Sequence, residues 1–381
     1  MNSIYFSEEH RALRDQVTRF VDNEVRPHGH KWEEQGFVPR DLLRKMGELG
    51  FLGIRYPSCY GGAELGPLST VVLAEELSKS SFGGLSATVF VHTDMASPHL
   101  AHFGSPAQLD RYMPAIVAGE KITAVAVTEP DAGSDVAALR TTARRSDDGW
   151  VLNGSKMFIT NGVHADIYFV AARTDPNAKG SRGLSMFIVE KGTPGFHVAR
   201  PLDKFGWRSS DTAELVFSDC HIPADALLGK ENHGFYSVMR NFQNERLVIG
   251  AMAVGESTRA LEITRRYAKE RKAFGGVLWD RQVIRHRLAT LDARVQALRQ
   301  LVYHAAWLME REIECVKEVS MVKALGGDLV NEVMYACQQF HGGFGYMRES
   351  EIERLVRDAR ILAIGGGATE VMLEEVAKRY E

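Results

Sequence analysis

The stretch GWVLNGSKMFITNG (149–162) is rich in β-branched and aromatic residues and closes on Asn161-Gly162, a pair that suits a hairpin turn. It has companions on both sides. KITAVAVTEP (121–130), DIYFVAART (166–174), LSMFIVEKG (184–192) and AELVFSDCHI (213–222) are runs of the same kind, each closed by turn residues. Residues 121–232 therefore read as a strand-rich middle domain, a small barrel or sandwich. Both flanks carry a different period. Ser7 is an N-cap for a segment whose apolar residues Leu13, Val17, Phe20, Val21 and Val25 recur at helical spacing. PRDLLRKMGELG (39–50) and STVVLAEELSK (69–79) repeat that pattern, so residues 1–120 form an N-terminal helical domain.

After GKENHGF (229–235) the helical period returns and holds to the end. Phe235, Met239, Phe242, Val248 and Leu261 mark a long helix over 235–270. Arg265, Arg266, Lys269, Arg271 and Lys272 ahead of Gly275-Gly276 mark its stop. Three more long helical segments predict a four-helix bundle over 233–381. The fold class is mainly α with a central β domain.

The 381 residues are 45% hydrophobic and 25% charged, which supplies core for two or three domains. A net charge of −3 with no basic run gives no reason to expect a nucleic-acid partner. The four cysteines are far apart without a CxxC pair, which points to a reducing compartment. The opening residues are acidic and amphipathic, unlike a leader peptide, and no run of about 18 apolar residues is present to span a membrane. A cytoplasmic location is expected.

RILAIGGGATEVMLEE (360–375) runs an apolar stretch through three glycines into a helix, as a strand opening on a phosphate cradle does. Neither nucleotide fingerprint is complete there, and a loop or cap is the plainer reading. Other motifs have equally plain readings one at a time. AVAVTEPDAGSD (124–135) is a polar turn after a strand, ERKAFG (270–275) a helix stop, QQFHGGFGYM (338–347) a Gly-rich cap, and Glu245 a helix carboxylate paired with Arg246.

Their combination says more. GFLGIRYPSCYGG (50–62), AVTEPDAGSD (126–135), FITNG (158–162), LDKFGWRSSDTAELVFSDCHIP (202–223), LLGKENHGF (227–235), ERLVIGA (245–251), RKAFG (271–275), QFHGGFGYM (339–347) and RDARILAIGGGATE (357–370) follow one another in this order. Together they resemble the acyl-CoA dehydrogenase family nearly end to end. The resemblance implies an N-terminal helical domain, a β-barrel-like middle domain and a C-terminal four-helix bundle. It also implies FAD, no metal, and α,β-dehydrogenation of an acyl-CoA thioester. The expected electron acceptor is electron-transfer flavoprotein, and the expected assembly a homotetramer built as a dimer of dimers.

Residue by residue, the resemblance puts Val125, Ala126, Val127 and Thr128 along the flavin, with Gly133 and Ser134 where the acyl-CoA channel begins. Phe158, which stands where Trp is frequent, packs on the flavin ring beside Ile159, and Thr160 reaches toward N5. Arg271, Gln282, Gln339, Gly342 and Gly343 serve the neighbouring subunit's FAD, while Thr369 and Glu370 are assigned to the cofactor as well. Ser134, Ser181, Arg182, Tyr236, Gln243 and Arg246 are expected to hold the substrate, Arg246 by the CoA adenine; Gln243 replaces an Asp and Ala368 replaces a Thr of the pattern.

Most of the family keeps its catalytic glutamate in an IYEGT segment, which here reads IGGGA, so Gly366 stands at the base's position. The isovaleryl- and long-chain branch places the base in an ERL motif instead, which makes Glu245 the expected base. Gly366 and Gly367 would then leave room for it and offer the Gly366 N–H to the thioester. Branched, medium or long chains are expected on that ground. Two other readings compete: an oxygen-reactive acyl-CoA oxidase, and a non-enzymatic nucleic-acid-binding relative that would need a basic surface and no base.

Overall fold

The computed structural model of the chain describes residues 4–178 and 180–380. The N-terminal part holds seven helices: α1 (Glu8–Phe20), α2 (Gly29–Gln35), α3 (Arg40–Glu48), α4 (Pro67–Ser78), α5 (Gly83–Phe90), α6 (Ser97–Phe103) and α7 (Pro106–Val117). Ser7 caps α1 as expected, its hydroxyl taking the His10 N–H while the His10 ring accepts from the Ser7 N–H. Every residue of α4 is buried, its Glu75 and Glu76 through ion pairs with Arg14 and Arg299. A π-helical turn, Val91–Ala96, joins α5 to α6.

The middle part is one eight-stranded sheet of β1 (Thr123–Ala126), β2 (Thr142–Arg145), β3 (Gly149–Thr160), β4 (Ile167–Arg173), β5 (Leu184–Glu190), β6 (Phe196–Pro201), β7 (Thr212–Pro223) and β8 (Leu227–Leu228). The order is β6-β7-β3-β2-β4-β5-β8, and β1 lies parallel to β4. Strands β4 and β5 bury both faces. Along β4, Tyr168 and Val170 join one apolar cluster with Trp150 and Phe187, while Ile167, Phe169 and Ala171 join another with Leu100 and Met113 of α6 and α7. The Asn161-Gly162 pair makes no hairpin, because β2 lies between β3 and β4. Asn161 does take a left-handed φ of 62°, but its amide is spent on the Thr88 and Thr123 carbonyls, so the loop is fastened to the helical domain.

The C-terminal part contains α8 (Gly234–Glu270), a two-strand ribbon of β9 (Lys272–Ala273) and β10 (Gly276–Val277), α9 (Gln282–Glu310), α10 (Val316–His341), α11 (Glu351–Ala359) and α12 (Thr369–Ala377). Only two long helices follow α8, not three. Glycines 342, 343 and 345 and glycines 365–367 interrupt the last segment, which becomes two nine-residue helices. The apolar run at 360 is no strand either: Arg360–Ala363 is a 3-10 turn that extends α11. The C-terminal helices are pinned to both other parts. Asp358 accepts the Gly83 N–H of α5 at 2.9 Å and the Trp207 N–H of the β6–β7 loop at 2.6 Å. Gly255 of α8 sits so close to α4 that a Cβ there would fall 2.2 Å from the Glu75 carbonyl oxygen, so only glycine allows this approach. Among the described residues no helix is long and apolar enough to cross a membrane.

Candidate active site

Glu245 lies about a third of the way along α8 with only 7% of its surface exposed. Its Oε1 is 3.3 Å from the Asn241 amide nitrogen one turn earlier. Burial pushes the Glu245 carboxyl up to about 7; the neighbouring Arg246 and the Asn241 N–H oppose this, and the Asp94 carboxyl adds to it. A carboxyl with such a proton affinity takes and returns protons near neutral pH.

The glycine loop meets α8 at the same place. Gly366 and Gly367 have φ of 65° and 104°, which L side chains rarely adopt. A Cβ on Gly366 would lie 2.3 Å from Cδ1 of Ile249, one turn beyond Glu245, and one on Gly367 would lie 3.7 Å from Nε of Arg246. The absence of a side chain at 366 therefore opens no extra room; Ile249 fills it. Lys323 of α10, fully buried, donates from Nζ to the Gly367 carbonyl at 2.6 Å. Thr369, first in α12, donates to Asp328 at 3.1 Å, so α10 holds both sides of the turn, while Glu370 is exposed in the next position.

Next to the sheet, the Met157 N–H donates to the Thr128 carbonyl at 2.9 Å, which lays the segment after β1 (Val125, Ala126, Val127, Thr128) against Phe158, Ile159 and Thr160 of β3. The register of β3 against β7 breaks between Lys156 and Ile159. In that bulge Phe158 takes φ of 61° and turns its ring outward, 67% exposed. Gly133 and Ser134 are exposed in the following loop.

Ser181 and Arg182 lie in the β4–β5 loop. It is tied to the start of α8 through Thr174, which bonds Ser185 and Asn232 at 2.7 Å each, and Tyr236 is exposed there. Arg246 is elsewhere. Twelve residues into α8, about 18 Å from that end, it packs over the Phe242 ring beside Glu245 and Gly367 rather than with Ser181 and Arg182. Gln243 has its Oε1 buried without a hydrogen-bond partner.

A third group collects at the far end of α8. Tyr267 stacks on His341 at 4.3 Å, which brings the Arg271 end of α8 into the neighbourhood of Gln339, Gly342 and Gly343, and Gln282 opens α9 after the β9–β10 ribbon. All five are exposed, and the Arg271 guanidinium has no ion pair among the described residues. Arg271 is 26 residues from Glu245, about 39 Å along the helix.

The family profile for the acyl-CoA dehydrogenase N-terminal domain matches residues 7–120, the middle-domain profile residues 124–220 and the C-terminal-domain profile residues 232–381. The chain belongs to the acyl-CoA dehydrogenase family. It is 41% identical to a mitochondrial long-chain specific acyl-CoA dehydrogenase of Mus musculus over 98% of this chain and 87% of that one. A mitochondrial isovaleryl-CoA dehydrogenase of Pongo abelii is 37% identical over 96% of this chain and 87% of its own. The crystal structure of a probable acyl-CoA dehydrogenase from Mycobacterium abscessus superposes with a TM-score of 0.96 at 43% identity, covering 99% of this chain and all of the other.

Acyl-CoA dehydrogenases are FAD-dependent oxidoreductases acting on the CH–CH bond of acyl-CoA. The residues present fit that cofactor. An outward aromatic ring at Phe158 offers a stacking face for a flavin, and the half-buried Thr128 and Thr160 are near it along the chain and across the Met157–Thr128 backbone bond. The unpaired Arg271 suits a pyrophosphate, and Gly342 and Gly343, where a Cβ would meet nothing within 4 Å, let a cofactor approach the backbone. The sequence motifs gave no sign of three further residues at the site: Lys156, Lys323 and Asn241. A Lys in a strand or helix and an Asn one turn before a Glu carry no signal until the fold shows what each touches.

Proposed function

We propose that the chain dehydrogenates an acyl-CoA thioester between its α and β carbons, with Glu245 as the base. The single observation that carries this assignment is a buried carboxyl, poised near neutrality, one helical turn before the point where Ile249 of α8 meets Gly366. Glu245 removes the α-proton. The Gly366 N–H donates to the thioester carbonyl as negative charge develops on its oxygen, a role that needs the backbone fixed in advance, which Lys323 and Asp328 do. Bound FAD supplies the acceptor for the β-hydrogen. Phe158, Thr128 and Thr160 hold its ring, with Val125 to Ser134 beneath. Ser181, Arg182, Tyr236 and Gln243 line the path of the CoA, and Arg246 holds the acyl end. Electrons leave to electron-transfer flavoprotein.

The distance along α8 supports a shared site. Arg271, Gln282, Gln339, Gly342 and Gly343 are too far from Glu245 to serve one flavin together with it, so each protomer lends them to a neighbour, within a homotetramer. Arg271→Ala is accordingly expected to lower the FAD-to-protein ratio on purification, read from the visible spectrum; unchanged occupancy would remove Arg271 from the cofactor site. Domain limits of 1–120, 121–232 and 233–381 follow the changes of texture, and the free state of all four cysteines suits a reducing cytoplasm.

The substrate is taken to be a medium, long or branched acyl-CoA, a reading supported by the long-chain and isovaleryl specificities in the names of the relatives. Anaerobic addition of straight and 3-methyl-branched acyl-CoAs to the flavoprotein should bleach the flavin band with the preferred chain. Bleaching by short straight chains alone would reject the chain preference. A bound flavin that no acyl-CoA reduces would reject the reaction.

A further inference from the structure

Asn241 and Asp94 stand out among the buried polar groups because they reach Glu245 without belonging to any motif. The Asn241 amide nitrogen has three acceptors: the Met95 carbonyl at 2.9 Å, the Asp94 carbonyl at 3.1 Å and Glu245 Oε1 at 3.3 Å. Both carbonyls lie in the π-helical turn between α5 and α6. Such turns are frequent at functional sites. Its two N–H bonds are divided among these three acceptors, and the amide cannot flip without setting its own oxygen against all of them. Asn241 therefore shows Glu245 a donor and never an acceptor.

Asp94 is fully buried a short way behind. Its Oδ2 accepts from Thr93 at 2.6 Å and its Oδ1 from the Asn244 amide at 3.0 Å, and Arg55 bonds the Asn244 oxygen. Burial pushes the Asp94 carboxyl up, with Arg55, Thr93 and Asn244 opposing.

We infer that Asn241 and Asp94 are positioning residues that set the orientation and basicity of Glu245, in opposite senses. This rests on Glu245 being the base. The Asn241 donor favours the ionised carboxylate and fixes one oxygen, leaving the other for the α-proton. The Asp94 charge, on the far side of the same amide pair, disfavours ionisation. The other charged and titratable groups nearby are Arg246 on α8, with Glu375 of α12 and Arg379 just past that helix beyond it, and Lys323 on α10. Arg55 of the N-terminal domain acts on Asp94 and bonds the Asn244 oxygen, and burial lowers the proton affinity of His99 and His102 of α6.

The test is the pH profile of flavin reduction by saturating acyl-CoA, measured on the holoenzyme. Asn241→Leu should move the acid limb up by about one unit, the scale of one lost hydrogen bond to a charged group, and so slow the rate about tenfold below the limb. Asp94→Asn should move the limb down. Opposed shifts are not what general loosening of the fold produces. If Asn241→Leu loses FAD, Asn241→Ser, which leaves room for a water donor, takes its place and should show a smaller upward shift. Limbs that stay at the wild-type position in both variants would overturn the inference, as would shifts in the same direction. Glu245→Gln separates the two levels: an inactive Glu245→Gln with unmoved limbs refutes only the positioning roles, whereas an active one removes the base itself.

Discussion

Glu245→Gln is expected to keep FAD and acyl-CoA binding while slowing flavin reduction by about 10³-fold, within the 10²–10⁴ range of general-base contributions. The substitution changes the charge and leaves the shape, so the Asn241 contact and the packing against Ile249 survive. Stopped-flow bleaching of the flavin measures it, and a rate within tenfold of wild type would move the base elsewhere. A glutamate introduced at Gly366 is not expected to rescue the variant alone. Its Cβ would sit 2.3 Å from Ile249 Cδ1 on a backbone with φ of 65°, so Ile249 must first be shortened. The proton linkage is visible as well. The folded carboxyl is raised from 4.5 to about 7, so in that window the native state holds a proton that the unfolded chain has released. Stability from this group is present below pH 4.5 and declines as pH rises through 7. Activity runs the other way, growing as Glu245 ionises.

The sequence carried the block order because periodicity survives tertiary context: α8 was legible from Phe235 to Glu270, and its stop from the cations before Gly275. It carried the pairing of the ERL helix with the glycine turn because a resemblance joined two stretches about 120 residues apart that the fold brings into contact at Ile249. What failed was local chemistry read without neighbours. Asn161-Gly162 has hairpin residues, yet its partners are the Thr88 and Thr123 carbonyls, which no local rule supplies. The run at 360–364 is apolar like a strand, but it continues α11 as a helical turn whose Leu362 is buried in the core beside α10. The room attributed to Gly366 was taken by Ile249, because a glycine in a packed core records an approach as often as a gap. Asn241 was invisible for the same reason: its partners come from a turn 146 residues earlier.

Lys156→Met is expected to cost about 3–5 kcal/mol of stability, the penalty for leaving one partner of a buried ion pair uncompensated, and to loosen the flavin site with it. Lys156 has no exposed surface. Its Nζ donates to Glu129 Oε1 at 2.8 Å and to the Val127 carbonyl at 2.9 Å, so one ammonium holds the chain just after β1. Glu129 in turn accepts the backbone N–H groups of Arg140 at 2.7 Å and Thr141 at 2.9 Å. Burial alone would raise the Glu129 carboxyl, but Lys156, Thr141 and Arg140 together hold it below its ordinary range. Without the lysine, the carboxylate keeps its two N–H donors and loses its countercharge, and the Val127 carbonyl is left bare. The damage lands at the site because Thr128, between those two anchors, bonds Met157 beside the Phe158 bulge. Chemical denaturation of the purified flavoprotein reads the stability loss, and its spectrum reads the loss of FAD. Lys156→Met combined with Glu129→Gln should recover part of the loss, since the neutral amide needs no countercharge. A single variant that unfolds within about 1 kcal/mol of wild type, inside the range of ordinary surface pairs, would mean that the segment after β1 is held by the sheet and not by this ion pair.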